Sequence, residues 1–387
     1  MASRSSSLAS LLVIMILHLW SNTVFYVTGS SCFTSIISFG DSLADTGNLK
    51  QLASISDQQF PVLLSPYGEN FYDHSTGRCS NGRLIIDFLA ESLGLPLIPP
   101  FVHEKGIDNA IAFGQGVNFA VAGATALDSS VLETRGIVNP MTNASLRVQL
   151  EWFKHSLPSI CGNASDCRKF IGNSLILMGE IGGNDYNYPI LDGKLINEDS
   201  FVPLVIDSIV STINELIEMG AQTLVVPGNL PVGCSGAYLT ICGSETEEYD
   251  PKTGCLVRLN EFAEYHNELL QKKLNHLREL HPNVNIIYAD YYNAAMQIYR
   301  SPEKYGFTNG GLKACCGGGG PYNFNSSAEC GLTSASVCDE PDTYVCWDGI
   351  HLTEAAYKLI ANNLFQGGYT TPQFNSLCPT SIFSSSM

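Results

Sequence analysis

Ser35-Ile36-Ile37-Ser38-Phe39-Gly40-Asp41-Ser42 is a short apolar run that ends on a glycine and two polar residues. A brief run that is apolar on both faces reads as a central parallel strand, and Gly-Asp-Ser then falls where the strand hands over to a loop. Residues 117–121, 175–178, 223–226 and 284–288 have the same form, each bounded by Gly, Pro, Asn or Asp. Helical patterns lie between them. Residues 83–93 put Leu84, Ile85, Phe88 and Leu89 on one side, 201–219 run up to Gly220 as a C-cap, 256–280 are long and amphipathic, and Thr353 caps a last helix through 365. This alternation predicts one α/β domain, a three-layer α/β/α sandwich around a mostly parallel five-stranded sheet.

In such sheets the functional residues gather in loops beyond the carboxyl ends of the strands. The first strand is followed by Gly40-Asp41-Ser42, the second by Ala122-Gly123-Ala124-Thr125, the third by Gly182-Gly183-Asn184-Asp185 and the fourth by Pro227-Gly228-Asn229. The fifth is followed much later by Asp348-Gly349-Ile350-His351-Leu352. All five edges can serve one cleft. Each fragment alone would be an ordinary turn, cap or structural histidine; their convergence is what argues for a site.

A serine hydroxyl is a poor nucleophile until a base takes its proton, and imidazole does this when a carboxylate fixes its tautomer. Ser42, His351 and Asp348 supply those three parts, Asp348 lying one turn before His351. The histidines at 74, 103, 155, 266, 276 and 281 have no comparable setting. Acyl transfer also needs donors for the developing oxyanion. The backbone N–H of Ser42, that of Gly123 and the carboxamide of Asn184 are the candidates.

Arg4 precedes an apolar run, residues 8–20, and then Thr28-Gly29-Ser30-Ser31. That order predicts a secretory signal peptide over residues 1–30, cleaved between 29 and 31, and leaves 31–387 as one domain. The run is short for a membrane anchor. No later segment reads as a spanning helix, so no stable membrane anchor is expected. Thirteen cysteines fit an oxidising compartment, and an odd total leaves at least one unpaired or bonded elsewhere. Cys161 with Cys167, and Cys242 with Cys255, could each close a loop, while Cys315, Cys316, Cys330, Cys338 and Cys346 crowd one glycine-rich region. No Cys-x-x-Cys with matching histidines occurs there, so no metal and no cofactor is expected. Sequons at Asn143, Asn163 and Asn325 are glycosylation candidates. The net charge of −17 disfavours nucleic acid as a partner and mildly favours a cationic substrate.

Residues 39–48, Gly116-Val117-Asn118-Phe119-Ala120-Val121-Ala122-Gly123-Ala124, Gly179-Glu180-Ile181-Gly182-Gly183-Asn184-Asp185-Tyr186 and Asp348-Gly349-Ile350-His351-Leu352 resemble four blocks of the plant GDSL esterase/lipase family, within the SGNH hydrolases. Val226-Pro227-Gly228-Asn229-Leu230-Pro231-Val232-Gly233-Cys234 is similar to a further family segment. The likeness covers essentially all of the chain after the leader, with no departure at these positions. It implies a flavodoxin-like fold, Ser42 as nucleophile, His351 as base with Asp348, and Gly123 and Asn184 in the oxyanion hole. Within the family the chain is most similar to the acetylajmalan esterase and sinapine esterase type. That implies a serine carboxylesterase for a small-molecule ester and water, deacetylating a plant specialised metabolite such as an indole alkaloid. Choline or sugar-acetate esters are the alternative substrates. An acyltransferase on the same triad, a lipase and a non-catalytic binding glycoprotein are the competing classes. No lid-like apolar segment favours the lipase, and no triad member is missing as in a non-catalytic relative. No protein partner is inferred. The leader implies the secretory pathway, ending outside the cell, in the wall or in a vacuole.

Overall fold

Ile36 and Ile37, neighbours on β1 (Ser35–Ser38), bury their side chains in two different hydrophobic cores. This is the period-two alternation of a strand covered on both faces. The division continues across the sheet. Ile37 pairs with Val117 of β2 (Gly116–Asn118) and with Ile176 of β3 (Ser174–Leu177). Ile176 pairs with Leu224 of β4 (Thr223–Pro227), and Leu224 with Ile286 of β5 (Asn285–Ala289). All of these lie in one core, while Ile36, Leu175, Val225 and Ile287 lie in the other. The pairings are parallel and the strand order is β2-β1-β3-β4-β5, a doubly wound order whose direction reverses between β1 and β3.

The computed structural model describes residues 32–102, 113–194 and 197–378; the expected signal peptide lies outside them. The sheet has six strands rather than five. β6 (Thr370–Thr371) adds antiparallel to the edge of β5, with Thr370 opposite Ala289. It is two residues long, has no apolar run and stops at Pro372, so it carries no strand signal.

The principal helices are α1 (Ile85–Ser92), α2 (Leu146–Ile160), α3 (Gly183–Leu191), α4 (Glu198–Met219), α5 (Val257–Leu280), α6 (Tyr291–Arg300) and α7 (Glu354–Phe365). Buried residues of α2, α4 and α5 fill the core on one face of the sheet, and those of α1, α6 and α7 fill the core on the other. The three layers are therefore those expected. Gly220 ends α4 at φ +118°, its N–H bonded to the Ile217 carbonyl, and Thr353 caps α7 by accepting the Ala356 N–H. α7 is not the last helix; a short turn of helix, Phe374–Leu377, follows it.

Contrary to expectation, one helix after the expected leader is long and apolar enough to pass for a membrane span. α4 is 22 residues long, with a mean hydropathy of 1.4 over its most apolar window, enough by length and composition to cross a bilayer. Its apolar side is spent on the core: Phe201, Val202, Val205, Ile206, Ile209, Ile213 and Leu216 are buried, and it packs beside α5.

Disulfides join Cys161–Cys167, Cys234–Cys255, Cys315–Cys338 and Cys316–Cys330; Cys32 and Cys378 are also disulfide-bonded. The partner of Cys255 is thus Cys234 and not Cys242. Cys234 sits in the loop after β4, whose Gly233 N–H bonds to the Asn260 side chain near the start of α5, which brings it against Cys255. Cys79, Cys242 and Cys346 are free thiols.

Candidate active site

Gly40 leaves β1 at φ +140°, with a backbone approach to Glu180 and Gly179 that leaves no room for a Cβ. Both of its peptide groups are held by one side chain: Gln149 accepts the Gly40 N–H at 2.9 Å and donates to its carbonyl at 2.8 Å. The next turn is locked by Asp41, whose carbonyl accepts the N–H groups of Ala44 and Asp45 while its carboxyl accepts that of Leu43. Asp41 N–H itself bonds to the Glu180 carbonyl. Among the described residues, the N–H of Ser42 alone in this turn has no partner.

The Asp348 turn arrives from the far end of the chain. One carboxylate oxygen, Oδ1, accepts the N–H groups of Ile350 at 2.9 Å and His351 at 2.8 Å. The other, Oδ2, lies 2.7 Å from His351 Nδ1. His351 Nε2 lies 2.9 Å from Ser42 Oγ. Ser42 and His351 are each 9% exposed, which keeps the pair accessible to a substrate but largely out of bulk water. Burial alone would raise the Asp348 carboxyl. His351 beside it and the hydrogen bonds from His351 and Tyr67 overcome that and hold it at about 2. Asp348 is therefore ionised wherever the imidazole needs it.

Gly123 belongs to the turn after β2 at φ +82°. Its neighbours have spent their amides: Val121 N–H on Gly40, Ala122 N–H on Asp45 Oδ2 and Ala124 N–H on Val121. Gly123 N–H has no partner among the described residues. Its carbonyl accepts the Asn139 amide and the Tyr188 hydroxyl, which hold the peptide that follows it. Asn184 occupies the first turn of α3 and lines the same space as Ser42 and His351. Both hydrogens of its amide are engaged, one with Asp41 Oδ2 at 3.1 Å and one with the Ala124 carbonyl at 3.0 Å. Burial, and then the Glu180 carboxyl beside it, push Asp41 well above the usual carboxylate range.

Several residues that hold this geometry are not evident from the motifs alone. Tyr67 donates its hydroxyl to Asp348 Oδ2 at 2.6 Å. Asp45 collects four backbone N–H groups, from Gly47, Asn48, Leu49 and Ala122, and so ties the loop after β1 to the loop after β2. Asp185 does the same between α3 and Ala126 and Leu127. Sequence could have marked Asp45 and Asp185 as loop formers, but nothing local marks Tyr67, which is 281 residues from its partner. His266, set aside as a base, is buried against the Tyr186 hydroxyl at 2.8 Å, and burial drops it to about 3.

Two cavities meet at Ser42 and His351. A small one of about 60 Å³ is lined by Leu230, Val232 and Tyr238 as well as Asn184 and Glu180. A larger cleft of about 600 Å³ runs past Gly123 and Met141 to Phe60 and Phe324. A polarised serine, a fixed imidazole and two unspent backbone N–H groups facing an open cleft can cleave an ester through a covalent acyl intermediate.

A family model described as GDSL-like Lipase/Acylhydrolase matches residues 36–364. Relatives from Arabidopsis thaliana include GDSL esterase/lipase At1g28600, 54% identical with 96% of this chain and 94% of that protein aligned. GDSL esterase/lipase At1g28610 is 53% identical, over 96% of each, and GDSL esterase/lipase At1g28580 is 57% identical, over 90% of this chain and 89% of the other.

Proposed function

The chain belongs to the GDSL-like lipase/acylhydrolase family and is a carboxylic ester hydrolase; from that premise we propose that Ser42, His351 and Asp348 are its catalytic triad. The observation that carries the proposal is the unbroken chain Ser42 Oγ, His351 Nε2, His351 Nδ1, Asp348 Oδ2, at 2.9 and 2.7 Å. His351 takes the Ser42 proton as Oγ attacks the ester carbonyl. The N–H groups of Ser42 and Gly123 receive the oxyanion, and Asn184 turns one amide hydrogen to it from Asp41. His351 then protonates the leaving alcohol, and a water activated by the same imidazole releases the acid and frees Ser42.

The substrate proposed is an ester with a small acyl group on a bulky alcohol, as in an acetylated plant specialised metabolite such as an indole alkaloid. The 60 Å³ cavity beside Ser42 supports a short acyl group, and the 600 Å³ cleft supports a polycyclic or extended alcohol. Residues 1–30 are proposed as a secretory signal peptide and 31–387 as a single hydrolase domain, delivered to the cell exterior, wall or vacuole. Asn143 and Asn325 are exposed and suit glycans. Asn163 suits one less, since its side chain caps a helix through the Ser165 and Asp166 N–H groups and donates to Asp166.

The test is Ser42→Ala against an ester panel of acetylated alkaloids, choline esters, sugar acetates and longer acyl esters, with and without an acceptor alcohol. Turnover should vanish in the variant while its thermal unfolding is unchanged. Hydrolysis at the wild-type rate would overturn the mechanism, and transfer to the added alcohol in preference to water would make the enzyme an acyltransferase.

A further inference from the structure

The larger cleft has a charge pattern that ester cleavage does not require. Among its described lining residues, Glu329 and Asp348 are acidic, no Lys or Arg is present, and His351 is the sole group able to carry positive charge. Asp348 is committed to the imidazole and to Tyr67, which leaves Glu329 as the one carboxylate without a part in the triad. Around it the cleft is aromatic, with Phe60, Tyr67, Tyr188 and Phe324 all in its wall. The hydroxyls of Tyr67 and Tyr188 are already spent, on Asp348 and on the Gly123 carbonyl; Tyr67 is buried, so Phe60, Tyr188 and Phe324 are the rings with surface to offer a ligand.

Glu329 is also held in place. It directly precedes Cys330, which is buried and bonded to Cys316. Gly331 follows, at φ +94°, and passes so close to the Pro61 carbonyl that a Cβ would come within 2.1 Å of it. The carboxylate is thus carried on a stapled loop braced against the Phe60–Pro61 side of the cleft. Burial and then the charge of Asp348 raise its affinity for a proton, and a bound cation would relieve both.

We propose that Glu329 and the rings of this cleft select esters that carry an organic cation, a protonated amine or a quaternary ammonium. The inference rests on the reading of this cleft as the ester site. Aromatic faces attract such ions through their quadrupoles, a carboxylate adds direct attraction, and the chain's net charge of −17 steers cations toward the protein.

The experiment compares the wild type with Glu329→Gln, which keeps the size of the side chain and removes its charge. Acetylcholine and 3,3-dimethylbutyl acetate have nearly the same shape and differ in charge. The wild type should favour the cationic ester in kcat/KM, and the preference should drop roughly tenfold in the variant. Tetraethylammonium binding by calorimetry, on Ser42→Ala with and without Glu329→Gln, gives the same comparison without turnover. An equal preference in both proteins, or equal tetraethylammonium affinity, overturns the proposal and leaves the hydrolase standing. If no ester is cleaved at all, the hydrolase reading fails, and the calorimetry still decides whether Glu329 binds the cation.

Discussion

Tyr67 and Asp348 are joined by a 2.6 Å hydrogen bond to the same carboxylate oxygen that faces His351 Nδ1. The tyrosine is buried, edge-on to Trp347, and burial followed by the charge of Asp348 pushes its hydroxyl well above the ordinary range, so it remains a donor. Asp348 Oδ2 therefore sits between two donors, and its position relative to the imidazole is set by both.

Tyr67→Phe removes one of them and keeps the ring. Hydrogen bonds to charged groups are worth about 1.5–3 kcal/mol, and part of that should appear as lost orientation of His351. The expected result is a fall in kcat of about tenfold with KM nearly unchanged. Steady-state kinetics on a neutral ester measure it. An unchanged kcat would reduce the Tyr67 hydroxyl to a packing role.

Gly123→Ala tests the oxyanion donor. The backbone there is at φ +82°, and the new Cβ would meet Met141 Cβ at 2.7 Å and the Tyr188 hydroxyl at 2.9 Å. The peptide must rotate or the wall must move, and either displaces the free N–H. Losing one oxyanion donor costs on the order of 10²–10³ in kcat. A variant that folds, binds a substrate analogue and keeps its kcat would remove Gly123 from the mechanism.

The parallel sheet was legible because each central strand is a short apolar run bounded by Gly, Pro, Asn or Asp, and two covered faces demand an unbroken apolar run. The candidate site was legible for the same reason: Ser42, Gly123 and Asn184 all stand in loops that follow such strands. What escaped detection depends on contacts between distant parts of the chain. β6 has two residues and takes its stability from β5. Cys242 is nearer to Cys255 in sequence than Cys234 is, yet the Gly233–Asn260 contact decides the pairing. α4 carries a membrane-like composition because it faces a core, and composition cannot distinguish lipid from protein interior. The commitment of both Asn184 hydrogens to Asp41 and Ala124 is equally invisible in a motif.

The buried carboxyls set a direction for stability against pH. Burial raises Asp185 from 3.8 to about 7, only partly offset by the Leu127 and Ala126 N–H groups, and burial likewise raises Asp41, Asp45 and Glu180. A carboxyl whose pKa is raised on folding stabilises the fold fully below its unfolded pKa, about 4, and that contribution is lost as pH climbs through the folded value. His266 acts in the opposite sense, because burial lowers it to about 3: the unfolded chain takes up a proton there below about 6.5, and above that pH it contributes nothing. Between about pH 6.5 and 7 the carboxyls therefore act without opposition from His266, so the melting temperature should fall there, and the part owed to Asp185 should level off above about pH 7. Asp185→Asn should melt lower throughout, since one amide oxygen cannot serve both backbone N–H groups as the carboxylate does, but its slope should be shallower. Thermal unfolding at half-unit steps of pH checks both points. A melting temperature that rises from pH 6.5 to 7 would contradict the assignment for all four carboxyls, and an unaltered slope in Asp185→Asn would remove Asp185 from among them.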